Sequence, residues 1–177
     1  MFDKFTSYLQ FEKRYSEHTV VAYGQDLNAF VEFAEVKKIS EFADLSSAFI
    51  RSWIVYLIEG GMKNKSVNRK LASLRTFYKW MRKEGLIDHS PMTKVQGPKN
   101  EKHLPVFAKE SELLPSKIEE LFSDDYSGKR DALMLELFYQ TGIRLSELIG
   151  LTLKDIQGNQ IKVLGKRNKE RIIPISD

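Results

Sequence analysis

The chain has 177 residues, 42% of them hydrophobic, which is enough for one folded domain or two small ones. It contains no cysteine, so disulfides, zinc-thiolate sites and a cysteine nucleophile are excluded. The formal net charge is +4, and residues 1–10 lack the apolar run of a signal peptide or membrane span, so we expect a cytoplasmic protein that does not enter a membrane.

Apolar residues at helical spacing predict a helical bundle over residues 1–90. Its helices are expected from Met1 to about Tyr15, from Ser16 through Ala34, from Ser46 or Ser47 to Gly60, and from about Asn64 to Glu84. The apolar stripe of the last helix consists of Val67, Leu71, Leu74, Tyr78 and Met81. These amphipathic helices can bury their apolar faces only against one another, which favours a compact domain.

The region that follows has a different composition. Residues 91–105 contain scattered prolines and a glycine with no apolar period, which predicts a linker. Residues 106–177 then form a second domain. The elements expected in it are a helix from the capping box at Ser116 to Phe122, a helix from about Lys129 to Gln140, a short helix at about Ser146–Ile149, and a β-hairpin with strands Gln160–Leu164 and Arg171–Ile175.

Positive charge is concentrated between Met62 and His103, where eleven Lys or Arg residues stand against three acidic residues. On the helix from Asn64, one face lacks any acid and lies opposite the apolar stripe. It consists of Lys65, Asn68, Arg69, Ala72, Thr76, Lys79 and Lys83. Two small residues at its centre would let the helix enter a DNA major groove, with the cations on phosphates and Asn68 at a base edge. The alternative is an ordinary solvated helix face.

A second candidate site surrounds Arg144, which stands between apolar neighbours just after Gly142. A guanidinium that is partly buried there needs a partner, either Glu147 or an anionic ligand such as a phosphate. The hairpin tip carries Lys166, Arg167 and Lys169. These residues can bring a cation to a phosphate, or they can be basic only because the turn is exposed to solvent. The three histidines are scattered, so we predict no metal site and no cofactor.

Several of these segments resemble motifs of one protein family, the Xer-type tyrosine recombinases of the phage integrase family. The segment from Ser16 to Phe30 resembles the pattern S-x-x-T-x-x-x-Y-x-x-D-L-x-x-F of their N-terminal core-binding domain, and the segment from Asn68 to Tyr78 resembles that domain's last helix. Residues 141–148 are similar to the T-G-x-R-x-S-E-L box, and residues 165–171 to the G-K-x-N-K-E-R hairpin. The four motifs occur in the family's order.

The resemblance implies a mainly α fold, with a four-helix SAM-like core-binding domain and the N-terminal part of a catalytic domain. It implies double-stranded DNA as partner, a tetramer on DNA for the full-length parent, and no small-molecule substrate. It also implies that Arg144 holds the scissile phosphate, that Lys166 protonates the leaving 5′ oxygen, and that Glu147 orients Arg144.

The chain departs from the family pattern after the hairpin. The family supplies an H-x-x-R segment and a tyrosine nucleophile there, whereas every tyrosine of this chain precedes Arg144 and no histidine is followed by that arginine. We therefore expect a DNA-binding recombinase fragment that cannot cleave DNA alone. A non-catalytic DNA-binding regulator is the alternative, and a helical module for an acidic protein partner is a third.

Overall fold

The structure is a computed structural model that describes residues 2–101, 117, 120–165 and 169–175. It contains two compact units, Met1–His103 and Leu104–Asp177. The fold is mainly helical, as the sequence predicts. Within the described residues, no helix is both long enough and apolar enough to cross a membrane.

The first unit is a helical bundle. Its elements are α1 (Asp3–Ser7), a π-helix (Tyr8–Glu12), α2 (Glu17–Ala34), a 3-10 helix (Ile39–Asp44), α3 (Ser47–Glu59), α4 (Asn64–Lys83) and a second 3-10 helix (Pro91–Lys94). Ser46 caps α3 by accepting a hydrogen bond from the backbone N–H of Phe49 at 3.1 Å. The bounds of α2, α3 and α4 agree with the helices expected from the apolar spacing.

The first helix differs from the prediction, because it widens into a π-helix and ends before Tyr15. The N–H of Lys13 donates to the carbonyl of Tyr8 at 3.0 Å, which closes a wider turn than an α-helix has. Arg14 then adopts a left-handed conformation with φ of 51°, where a helix cannot continue. The apolar spacing did not reveal this change of helix type.

The core of the first unit is rich in aromatic side chains. Phe30, Phe42 and Phe77 are fully buried, and the rings of Phe42 and Phe77 meet edge to face with centroids 4.8 Å apart. All five residues of the predicted stripe on α4 are buried in the same cluster. The Tyr78 hydroxyl donates to the Phe42 carbonyl at 3.1 Å, and burial raises the pKa of Tyr78. Helix α4 is therefore fixed against the core along its whole length.

The segment expected to be a linker packs onto the first unit over residues 91–100. Met92 and Val95 are buried in its core. The side chains of Asn64 and Asn68 donate to the carbonyls of Lys99 and Pro98, at 2.9 and 2.7 Å. A Cβ atom at Gly97 would lie 1.9 Å from the Asn68 side-chain oxygen, so a larger residue there would displace the Asn68 side chain. Side chains of α4 hold this segment through hydrogen bonds to its backbone carbonyls. Such bonds require no repeating pattern of apolar residues in the segment, so the sequence indicated a linker.

The second unit contains α5 (Tyr126–Thr141), α6 (Leu145–Ile149), a 3-10 helix (Leu153–Asp155) and the strands β1 (Ile156–Gln157), β2 (Gln160–Gly165) and β3 (Lys169–Pro174). The strands form an antiparallel sheet in the order β1-β2-β3. Its small core consists of Ile143, Ile161, Val163 and Ile173. The predicted hairpin is present with longer strands, and β1 was not predicted. Of the helix expected from Ser116 to Phe122, the described residues Lys117, Glu120 and Leu121 are helical, and residues 116, 118 and 119 lie outside the described residues.

Candidate nucleic-acid interface and phosphate site

We call the surface of α4 formed by Lys65, Asn68, Arg69, Ala72, Thr76, Lys79 and Lys83 the α4 basic face. Lys65, Ala72 and Lys79 on it are exposed. Among the described residues, no carboxylate lies within ion-pair distance of Lys65 or Lys79. The centre of the face is shallow, because Ala72 has only a methyl group and the Thr76 hydroxyl donates to the Ala72 carbonyl at 3.0 Å. A rod-shaped polyanion with a groove on its surface can therefore approach the helix backbone closely.

Arg69 is held by an acid on another helix, which the pattern of α4 alone does not predict. Asp26 of α2 has a side chain that is only 1% exposed, and one of its oxygens accepts from the Arg69 guanidinium at 2.5 Å. Lys70 and the Ser73 hydroxyl donate to the same carboxylate at 3.2 and 2.8 Å. Half of the Arg69 side chain remains exposed, so the guanidinium keeps donors for an external anion.

Two other residues of the α4 basic face have partners within the first unit. The Asn68 side chain donates to Pro98 and also to the Asn100 side chain at 2.8 Å, so it does not point freely at a ligand. Lys83 pairs with Glu12 of the π-helix, at a position where both side chains are about half exposed. The face therefore lacks an acid of its own helix, as predicted, but Asp26 and Glu12 approach it from other elements.

Arg144 stands where α5 ends and α6 begins. Gly142 ends α5 in a left-handed conformation with φ of 58°, and Arg144 is extended at the N-cap of α6. Glu147, three residues later, accepts from the Arg144 backbone N–H at 2.9 Å and from its guanidinium at 2.7 Å. The predicted pair with Glu147 is therefore present.

The guanidinium is more exposed than the sequence suggested. The Arg144 side chain is 63% exposed, and Leu145 and Ile149 of the helix that follows are exposed as well. One nitrogen of the guanidinium binds Glu147, and most of the remaining donors face solvent. Arg144 can thus bind a carboxylate on one side and an external anion on the other.

Arg171 of β3 is a partner that sequence reasoning missed. It donates to the second oxygen of Glu147 at 2.7 Å and is 41% exposed. Two guanidinium groups therefore share one carboxylate that is 1% exposed, which leaves an excess positive charge at the surface. The signal was present in the sequence, because Arg171 is the last residue of the hairpin motif, but spacing alone gave it no role.

The last residue of β2 lies beside this cluster. A Cβ atom at Gly165, the last residue of β2, would lie 3.2 Å from a Glu147 oxygen and 3.8 Å from an Arg144 nitrogen. Lys169 is exposed at the start of β3, opposite Gly165. Lys166 and Arg167 lie outside the described residues.

We predict that the stability of the second unit depends on the charge of Glu147. The backbone N–H and guanidinium of Arg144, with the guanidinium of Arg171, lower the pKa of this carboxyl from 4.5 to about 2. Because the folded-state pKa is lowered, the stabilisation is complete above the unfolded pKa and disappears as the pH falls through the folded pKa. Nuclear magnetic resonance of the Glu147 carboxyl should give a midpoint near the lower value, and Glu147→Gln should remove this component of acid unfolding. A midpoint at the ordinary glutamate value would contradict the geometry.

The described residues contain no group of three or more His, Cys, Asp or Glu side chains able to hold a metal ion. The chemistry that the described site offers is instead that of fixed cations. A guanidinium held by a buried carboxylate is already oriented, so it can stabilise negative charge without reorganising.

Two family models match the chain. Residues 2–85 match the phage integrase N-terminal SAM-like domain, and residues 111–177 match the phage integrase family. Among solved structures, a lambda integrase dimer bound to a COC′ core site has the same fold, with a TM-score of 0.75 and 19% identity, over 97% of this chain and 58% of that chain. The Tn1549 transposon integrase in complex with transposon right end DNA has a TM-score of 0.69 and 17% identity, over 98% of this chain and 60% of that chain. The fold is that of an integrase.

Curated proteins are closer in sequence. The chain is 36% identical to the tyrosine recombinase XerC of Stutzerimonas stutzeri over 178 residues, covering 98% of this chain and 58% of that protein. It is 37% identical to the XerC of Bacillus subtilis over 176 residues, covering 96% of this chain and 56% of that protein. The chain belongs to the phage integrase family of tyrosine recombinases. It spans a little under three fifths of the length of these relatives.

Proposed function

We propose that the first unit binds double-stranded DNA through the α4 basic face, as one part of a site-specific tyrosine recombinase. The observation that carries this proposal is the pair of exposed lysines, Lys65 and Lys79, on either side of the small residues Ala72 and Thr76. Cations at the rim and small side chains at the centre are what a helix needs in order to lie in a major groove. Relatives named as recombinases, and neighbours of the same fold that are bound to DNA, support the same conclusion.

The second part of the proposal concerns Arg144. Its exposed guanidinium, held by Glu147, would bind the non-bridging oxygens of the scissile phosphate, and Lys166 would donate the proton to the leaving oxygen. Gly165, the residue before Lys166, lies close to Arg144 and Glu147, and this proximity supports the proposed role. In the full recombinase, strand exchange would run through a phosphotyrosine within a tetramer on DNA.

The test is binding of a labelled duplex by the chain, followed by fluorescence anisotropy over a series of salt concentrations. The four cations of the α4 basic face predict a slope of log affinity against log salt at least as steep as roughly −3 to −4, since each neutralised phosphate contributes about −0.9. We expect binding but no covalent protein–DNA product on supercoiled plasmid, because no tyrosine follows Arg144 in this chain. An affinity for the duplex that does not change with salt concentration would contradict the DNA-binding proposal. A covalent product would show that the chain cleaves DNA by itself.

A further inference from the structure

Beyond the α4 basic face, the first unit has a surface depression of about 440 Å³ at the C-terminal end of α4, lined by Tyr8, Glu12, Lys13, Lys79, Arg82 and Lys83. We call it the Tyr8 pocket. Its buried wall is the Tyr8 ring, which is 8% exposed, and its rim consists of exposed charged side chains. Four cations and one carboxylate line it, so the pocket carries excess positive charge.

The π-helix explains how these cations come together. Its wide turns end at Glu12, and the chain leaves through Lys13 and the left-handed Arg14. The Lys13 ammonium lies 5.7 Å from the centroid of the Tyr8 ring, and the Lys83 ammonium lies 5.0 Å from it. Lys79 and Arg82 precede Lys83 by one turn or less of α4, so they lie on the same end of that helix.

The ion pairs of the pocket are incomplete. Glu12 pairs with Lys83, and this contact raises the pKa of the Lys83 ammonium. Among the described residues, no acidic side chain lies within ion-pair distance of Lys13, Lys79 or Arg82. Like charges held this close repel one another, and an anion in the depression would relieve that repulsion. A phosphate group suits the site, because it accepts from an arginine fork and from ammonium groups at the same time.

We infer that the Tyr8 pocket binds a backbone phosphate of the same duplex that lies on the α4 basic face, with Lys13 and Arg82 as additional contacts. Lys79 and Lys83 belong to both surfaces, so a strand that follows the face arrives at the pocket without a break. This inference rests on the proposed function and adds two residues to it. Glu12 acts against binding, since it neutralises Lys83 until a phosphate takes its place.

The experiment uses the full chain and duplex anisotropy over a salt series. Lys13→Gln combined with Arg82→Gln should lower the magnitude of the salt slope by about two, and each single change by about one. Glu12→Gln should raise the affinity, by roughly twofold to fivefold, because it releases Lys83 from an exposed ion pair. Lys38→Gln removes the same charge from an exposed residue outside the pocket and serves as the control. Inorganic phosphate should compete no better than chloride at equal ionic strength.

The outcomes separate the two proposals. If the unaltered chain binds duplex with the expected salt slope but the Lys13 and Arg82 variants match the Lys38 control, the pocket inference is overturned and the proposed function stands. Strong competition by inorganic phosphate would overturn the assignment to duplex DNA and indicate a site for a free anion. Salt-independent binding, or none, by the unaltered chain would overturn both.

Discussion

Asp26→Ala is expected to lower the free energy of unfolding of the first unit by about 3 kcal/mol. The Asp26 carboxylate is almost fully buried and receives donors from Arg69, Lys70 and Ser73. Removing it leaves the Ser73 hydroxyl buried without this partner and Lys70, whose side chain is 12% exposed, without its counter-charge. Arg69 reaches solvent more easily, which keeps the cost toward the lower end of the range for buried ion pairs.

Tryptophan fluorescence during denaturation measures this effect selectively. Both tryptophans of the chain, Trp53 and Trp80, are buried in the first unit. Combining Asp26→Leu with Lys70→Met should cost less than Asp26→Ala alone, because no buried ammonium is then left without its counter-charge. Equal costs for the two variants would show that the unpaired Lys70 ammonium is not the source of the loss. A cost below about 1 kcal/mol for Asp26→Ala would show that the carboxylate is not a structural partner of α4.

Reversing the charge of Lys65 and Lys79 together is expected to weaken duplex binding by about a hundredfold or more. Each charge reversal removes one contact between a lysine and a DNA phosphate, and it adds repulsion between the new carboxylate and the DNA. Arg69 is left unchanged in this variant, because a carboxylate at that position would face Asp26 and destabilise the fold. Anisotropy with the same duplex provides the measurement, and the salt slope should fall by about two in magnitude.

The matched control is the double reversal of Lys37 and Lys38, two exposed residues that follow α2. It alters the net charge equally, so it reports the general effect of charge on binding. An equal loss of affinity in both variants would mean that DNA responds to the net charge of the chain and not to the α4 basic face.

Local patterns in the sequence were sufficient for much of the fold. The stripe from Val67 to Met81 predicted α4 and its buried side, because helix periodicity depends only on neighbouring residues. The hairpin was predicted for a similar reason, since Ile161 and Val163 alternate with exposed residues. The π-helix at Tyr8–Glu12 was not predicted, because its apolar spacing over one turn does not differ enough from that of an α-helix.

The contacts that complete the candidate sites join residues far apart in the chain. Asp26 meets Arg69 across 43 positions, and Lys83 meets Glu12 across 71, so no helical-face analysis of α4 could include these acids. Asp26 nevertheless gave a signal, because it is a charged residue between Tyr23 and Phe30 on the apolar side of α2. Arg144 and Glu147 were predictable as a pair since they lie three residues apart at a helix start.

The most direct test of DNA binding by the α4 basic face is the acetylation rate of individual lysines, measured by mass spectrometry with and without saturating duplex. We predict that duplex slows the acetylation of Lys65 and Lys79 severalfold while Lys37 and Lys38 react at unchanged rates. Unchanged rates at Lys65 and Lys79 in a chain that has bound DNA would contradict it.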